Sequence, residues 1–176
     1  GIRVAGAGML AQALWLARFD VARRTIRIAG TTRYMAIALI AGYVWLAVAG
    51  VIWIADGALK GYGFAYDASL HTIFIGFVFS MVFAHAPVIV PAVLGVQLPY
   101  RPSFTAPLAL LHAGLLVRMA GAATATAGLW RWGGVLNEVA IVGFIALAAL
   151  TAVLVKRRSR TSPRSAVRAR DSEATV

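Results

Sequence analysis

The sequence predicts an all-α integral membrane protein: a bundle of four complete transmembrane helices plus a partial N-terminal helix. Three observations predict it. Of 176 residues, 61% are apolar and 13% charged, with a mean hydropathy of +0.81; soluble domains run near ~45–50% and ~25%. The apolar residues fall in blocks long enough to cross a bilayer, which takes about 20 helical residues. The basic residues, which give a formal charge of +11, flank those blocks.

Residues 1–17 read as the end of a transmembrane helix whose beginning is missing. Val4 to Leu16 is apolar but too short to span, and arginines come after it, whereas a signal peptide places its basic residues first. Residues 18–33 form a basic loop carrying Arg18, Arg23, Arg24, Arg27 and Arg33. The four-helix bundle occupies residues 34–155. Its first span, Tyr34 to Ala55, holds no charge and includes Gly42 and Gly50. A polar loop covers 56–66. The second span runs from Asp67 to about Val96. Pro87 and Pro91 predict a kink in it or an end near Ala86, because proline removes a backbone donor and crowds the preceding turn. Residues 97–103 form a turn. Thr105 and Pro107 open the third span, proline being tolerated in a first turn; it runs to about Gly121. The stretch TATAGLWRWGG reads as a small-residue loop. The fourth span covers about Val135 to Val155, and 156–176 is a basic, disordered tail.

Orientation comes from charge. Thirteen basic residues lie on the side of segments 18–33, 97–103 and 156–176, against Lys60 and Arg131 on the other. The positive-inside rule places the first set in the cytoplasm. The expected location is the bacterial inner membrane, multi-pass, with a cytoplasmic C-terminus. The basic clusters signify topology and anionic-lipid contact, not nucleic acid. Cysteine is absent, which excludes disulfides, thiolate metal sites and cysteine nucleophiles. No phosphate loop, nucleophile triad or metalloprotease motif is present.

The chemistry then rests on three histidines, all within spans: His71 and His85 in the second, His112 in the third. Ionisable groups in a membrane are costly, and their default reading is functional. The bland alternative is a neutral histidine bonded to a neighbouring helix. On a regular helix, the spacing of His71 and His85 leaves them about 40° apart in azimuth and about 21 Å apart along the axis. That spacing suits porphyrin ligands at two depths. Gly76, Ser80 and Ala84 form a separate small-residue stripe for close helix approach. His85 and His112 lie at matching depths from the 97–103 turn, so they are expected to face each other and hold one iron between them. His71 lies apart, with Met119 as a candidate second ligand or a packing residue.

Arg118, inside the third span, has three readings: pairing with Asp67, holding a porphyrin propionate, or snorkelling outward. Asn137 and Glu138 open the fourth span, and Glu138 is a candidate proton relay. Trp45, Trp53, Trp130 and Trp132 read as packing or interfacial residues.

The run DASLHTIFIGFVFSMVFAHAPVIVPAVLG resembles a pattern in polytopic membrane proteins of the NnrS type, and a histidine-bearing helix of haem–copper-oxidase-like subunits. The stretches WLARFDVARRTIRIAGTTRYMAIALIAGYVWLAVAG and LHAGLLVRMAG with WRWGGVLNEVAIVGF look like continuations of it. The resemblance implies a haem- and copper-containing protein, of which this chain is a partial or reduced relative.

Together these readings give a b-type haem protein for electron transfer or nitric-oxide-related chemistry. Haem b is held by His85 and His112, with His71 and Arg118 as further cofactor contacts. Copper or a chlorophyll-type pigment is an alternative, since imidazole serves all three. The competing readings are a non-catalytic accessory subunit packed against a larger respiratory or photosynthetic complex, and a small transporter. The expected partners are lipid, other membrane subunits or a second copy.

Overall fold

The computed structural model describes residues 1–58, 60–95 and 98–160, without the side chains of 158–160. The tail expected from 161 onward lies outside the described residues. The elements are α1 (Ile2–Phe19), α2 (Ala22–Thr25), α3 (Thr31–Asp56), α4 (Phe64–His71), a π-helical segment (Thr72–Val78), α5 (Phe79–Leu94), a 3-10 turn (Pro102–Phe104), α6 (Thr105–Ala123) and α7 (Ala127–Arg160). No strand occurs among the described residues. Four helical stretches are long and apolar enough to cross a membrane: Thr31–Asp56, Phe64–Leu94, Pro102–Ala123 and Ala127–Arg157. They correspond to the four expected spans.

Two of these spans have different limits from the sequence reading. The second span does not end near Ala86. It continues through Pro87 and Pro91 to Leu94 and stops at Gly95, whose φ of 62° suits glycine. In an apolar stretch the remaining backbone groups have no water to turn to, so the helix persists past its prolines. The fourth span is longer at both ends. The expected loop at 122–134 shrinks to residues 124–126, and α7 begins at Ala127. Gly133 and Gly134 lie within the helix and pack on Arg118: a Cβ at Gly133 would overlap the Arg118 backbone. At its other end α7 runs past Val155 to Arg160.

The π-helical segment is a further difference. Its wider turns rotate α5 relative to α4, so the 40° offset of a regular helix does not carry over to His71 and His85. Hydroxyls bracket the segment. Thr72 Oγ1 donates to the Ala68 carbonyl at 2.7 Å, and Ser80 Oγ to that of Gly76. Such side-chain bonds compete for carbonyls that the ladder would otherwise use.

Close approach organises the packing. α1 lies along α3, where Gly6 and Gly50 meet: a Cβ on Gly50 would sit 2.7 Å from the Gly6 carbonyl oxygen. The stripe of Gly76, Ser80 and Ala84 is buried, as the small-residue spacing predicts; Gly76 admits the Trp45 side chain and Ser80 faces Gly42. One end of the bundle is held by an aromatic cluster. Phe83 and Phe144 stack with centroids 3.9 Å apart, and Phe104 meets Phe144 edge-on at 5.6 Å. Tyr34, Leu108 and Leu111 complete that core.

Candidate functional site

The three histidines sort by the chemistry of their Nδ1 partners. On α5, His85 Nδ1 lies 2.8 Å from the Met81 carbonyl of its own helix. A carbonyl only accepts, so Nδ1 carries the proton and Nε2 of the neutral ring bears the lone pair. On α4, His71 Nδ1 lies 2.8 Å from the Asp67 carbonyl, with the same consequence. His112 on α6 is the reverse. The indole Nε1 of Trp45 donates to His112 Nδ1 at 3.0 Å, and the two rings stack at 16°. An indole N–H only donates, so Nδ1 is unprotonated and Nε2 carries the proton. That Nε2 is buried without a hydrogen-bond partner.

The pairing expected of His85 and His112 is not made through Nδ1. Each ring has its own partner, Met81 for one and Trp45 for the other, and they do not share one. α6 lies against α4, the π-helical segment and α7, and the half of the second span carrying His85 packs on α3, on α7 through Phe83, and into the core that Leu108 and Leu111 of α6 share. Depth matching along two helices does not fix which faces meet. His85 opens instead on an apolar groove of about 370 Å³ walled by Met81, Val82, Ala86, Ile89 and Val90. Met119, the candidate partner of His71, lines a different groove with Val44, Val48 and Phe64.

The structure does bring together Asp67, His71, Arg118 and Trp130. Arg118 Nη2 donates to Asp67 Oδ1 at 2.7 Å and Nε to Oδ2 at 3.2 Å, a two-point charge-assisted pair. Trp130 Nε1 donates to Oδ2 at 3.3 Å, and the guanidinium lies over the Trp130 ring at 4.3 Å from its centroid. His71 Nδ1 stands 3.5 Å from Oδ1. Of the three readings of Arg118, pairing with Asp67 is the one realised, so its fork is already engaged. Glu138 lies on the exposed face of α7, well inside the helix because α7 begins early.

Two partners in these arrangements are not evident from sequence reasoning. Trp45 reads there as a packing or interfacial residue, yet it fixes the tautomer of His112. Its position holds the clue. It sits midway along an uncharged span, far from either boundary, and an indole N–H at that depth needs an acceptor. Trp130 fits the aromatic belt but also braces Asp67.

Among the described residues, no group of three or more of His, Asp and Glu comes together to hold a metal ion. A haem iron needs fewer protein ligands. The donor chemistry fits one at His85 and His71, whose Nε2 lone pairs are free, and does not fit one at His112, whose Nε2 bears the proton.

No curated protein and no solved structure matches the chain. Residues 1–153 match the family described as a domain of unknown function, DUF8744. The match takes in every helix up to the last turns of α7, and the chain belongs to that family.

Proposed function

We propose that the chain is a membrane-embedded b-type haem-binding subunit serving electron transfer or nitric-oxide-related chemistry, with His85 as the principal ligand. The observation that carries this reading is the Met81–His85 hydrogen bond. A ligand imidazole is held and made more basic when its other nitrogen donates to a carbonyl, and the Met81 carbonyl accepts from His85 at 2.8 Å. The groove at His85 is walled by apolar side chains, which suit the face of a porphyrin macrocycle. His71 repeats the arrangement at a second depth, next to the Asp67–Arg118 pair. The resemblance of the second span to NnrS-type and haem–copper-oxidase-like helices supports the same reading. When bound, the haem supplies one-electron chemistry. The chain's own residues supply the ligand nitrogen, fix its tautomer and wall the site with apolar side chains.

The test is the absorption spectrum of the full chain purified from cells supplied with a haem precursor. The wild type is expected to show a Soret band that shifts on reduction. His85→Ala should remove most of it, whereas His112→Ala should leave it. No Soret band, or one insensitive to both His85→Ala and His71→Ala, overturns the reading. The accessory-subunit alternative would then stand, with the apolar trough between α5 and α7, lined by Phe79, Val90, Ile141 and Ile145, as its packing face.

A further inference from the structure

We infer that the turn joining α1 to α3 is a binding site for the phosphate of an anionic phospholipid. Arg18, Arg23, Arg24 and Arg27 wall a single concavity of about 410 Å³, together with Phe19 and Asp20. The cup is built. Arg23 Nη1 donates to the Arg18 carbonyl at 3.0 Å, and Arg33 reaches back to the carbonyls of Ile26 at 3.1 Å and Arg27 at 3.4 Å. Asp20, the carboxylate in the wall, accepts from the Ala22 backbone N–H at 2.7 Å. Four arginines thus line a space whose one carboxylate is already engaged by the backbone. Guanidinium groups bind phosphate oxygens in a two-point fashion.

The surroundings select a lipid over a free anion. Trp15, Phe19, Val21 and Ile28, on or beside the cup, are all more than half exposed. The turn directly precedes the first apolar span. Exposed apolar side chains beside clustered arginines match an amphiphile, with its phosphate in the cup and its acyl chains along the rim. Basic pockets next to membrane-spanning helices bind anionic headgroups for this reason.

Native mass spectrometry of the full chain in detergent tests this, with phosphatidylglycerol and phosphatidylcholine as the added lipids. Phosphatidylglycerol should bind in preference to phosphatidylcholine. Arg23→Gln/Arg27→Gln should weaken that binding about thirtyfold, at about fivefold per arginine. The control Lys60→Gln/Arg131→Gln removes the same charge elsewhere and should leave it within about twofold on the same scale. Arg24→Gln keeps the Arg23 and Arg33 bonds to the turn and should cost about fivefold, so the site can be probed without loosening the loop. Equal losses in the cup and control variants, or equal binding of the two lipids, overturn the inference. Displacement of phosphatidylglycerol by inorganic pyrophosphate at equal concentration assigns the cup to free phosphate anions and overturns the lipid source.

Discussion

Asp67 and Arg118 show what an ionisable pair inside an apolar bundle demands. Their side chains are 22% and 11% exposed, so removing either leaves a largely buried charge uncompensated. Asp67→Asn or Arg118→Gln should each cost about 3 kcal/mol, while Asp67→Leu with Arg118→Leu should cost much less than the two singles combined. Thermal unfolding in detergent measures the cycle, and strict additivity would contradict the pairing. Trp45 offers a second residue-level prediction. Trp45→Phe removes the N–H from His112 Nδ1 and should cost about 1–2 kcal/mol. It should also free the ring to exchange tautomers, read by ¹⁵N chemical shifts of the imidazole; unchanged shifts would contradict the assigned hydrogen bond. The Asp67–Arg118 pair is legible in the sequence as one of three readings, because a membrane arginine needs a partner and few carboxylates are at hand. The partner of His112 is not legible, since helical rise gives its depth and helical period its face on its own helix, but neither says which neighbouring helix that face meets.

The helices themselves are largely readable, because an uncharged apolar block of sufficient length has few alternatives to helix in a bilayer. Local departures from regularity are not. The π-helical segment at Thr72–Val78 has no signature in hydropathy, and it rotates His85 away from the azimuth a regular helix would assign. The early start of α7 is hidden by glycines that look like loop residues until their packing against α6 is seen. Gly76 lies inside the π-helical segment, where an added Cβ would fall within 2.6 Å of the Trp45 side chain. Gly76→Ala should therefore displace Trp45 and destabilise the protein by about 1–3 kcal/mol. It should also perturb the His112 tautomer, which a purely local effect would not. Thermal unfolding and imidazole NMR read the two together, and an intact Trp45–His112 bond in the variant would contradict the coupling.

At the scale of the molecule, four apolar helical stretches in series alternate their connecting segments between the two ends of the bundle. Cysteines introduced at Arg24 and Arg101 should share one labelling behaviour toward an impermeant thiol reagent, and those at Lys60 and Thr126 the opposite one. The basic count predicts that the first pair is labelled from the cytoplasmic side. Labelling of Arg101→Cys together with Lys60→Cys from one side would contradict the four-span arrangement.

The Asp67–Arg118 pair also constrains how this family can change over time. A lineage that loses one partner first must pass through a folding defect, whereas one that loses both arrives at a tolerable apolar contact. The two positions should therefore drift as a unit. Across homologues, Asp67 and Arg118 should be kept together or replaced together, and a chain carrying one alone should hold a substitute charge among the neighbours of Trp130. Aligned homologues would record this as a covarying pair separated by 51 positions in the chain, a sign in inheritance of a contact that hydropathy does not reveal.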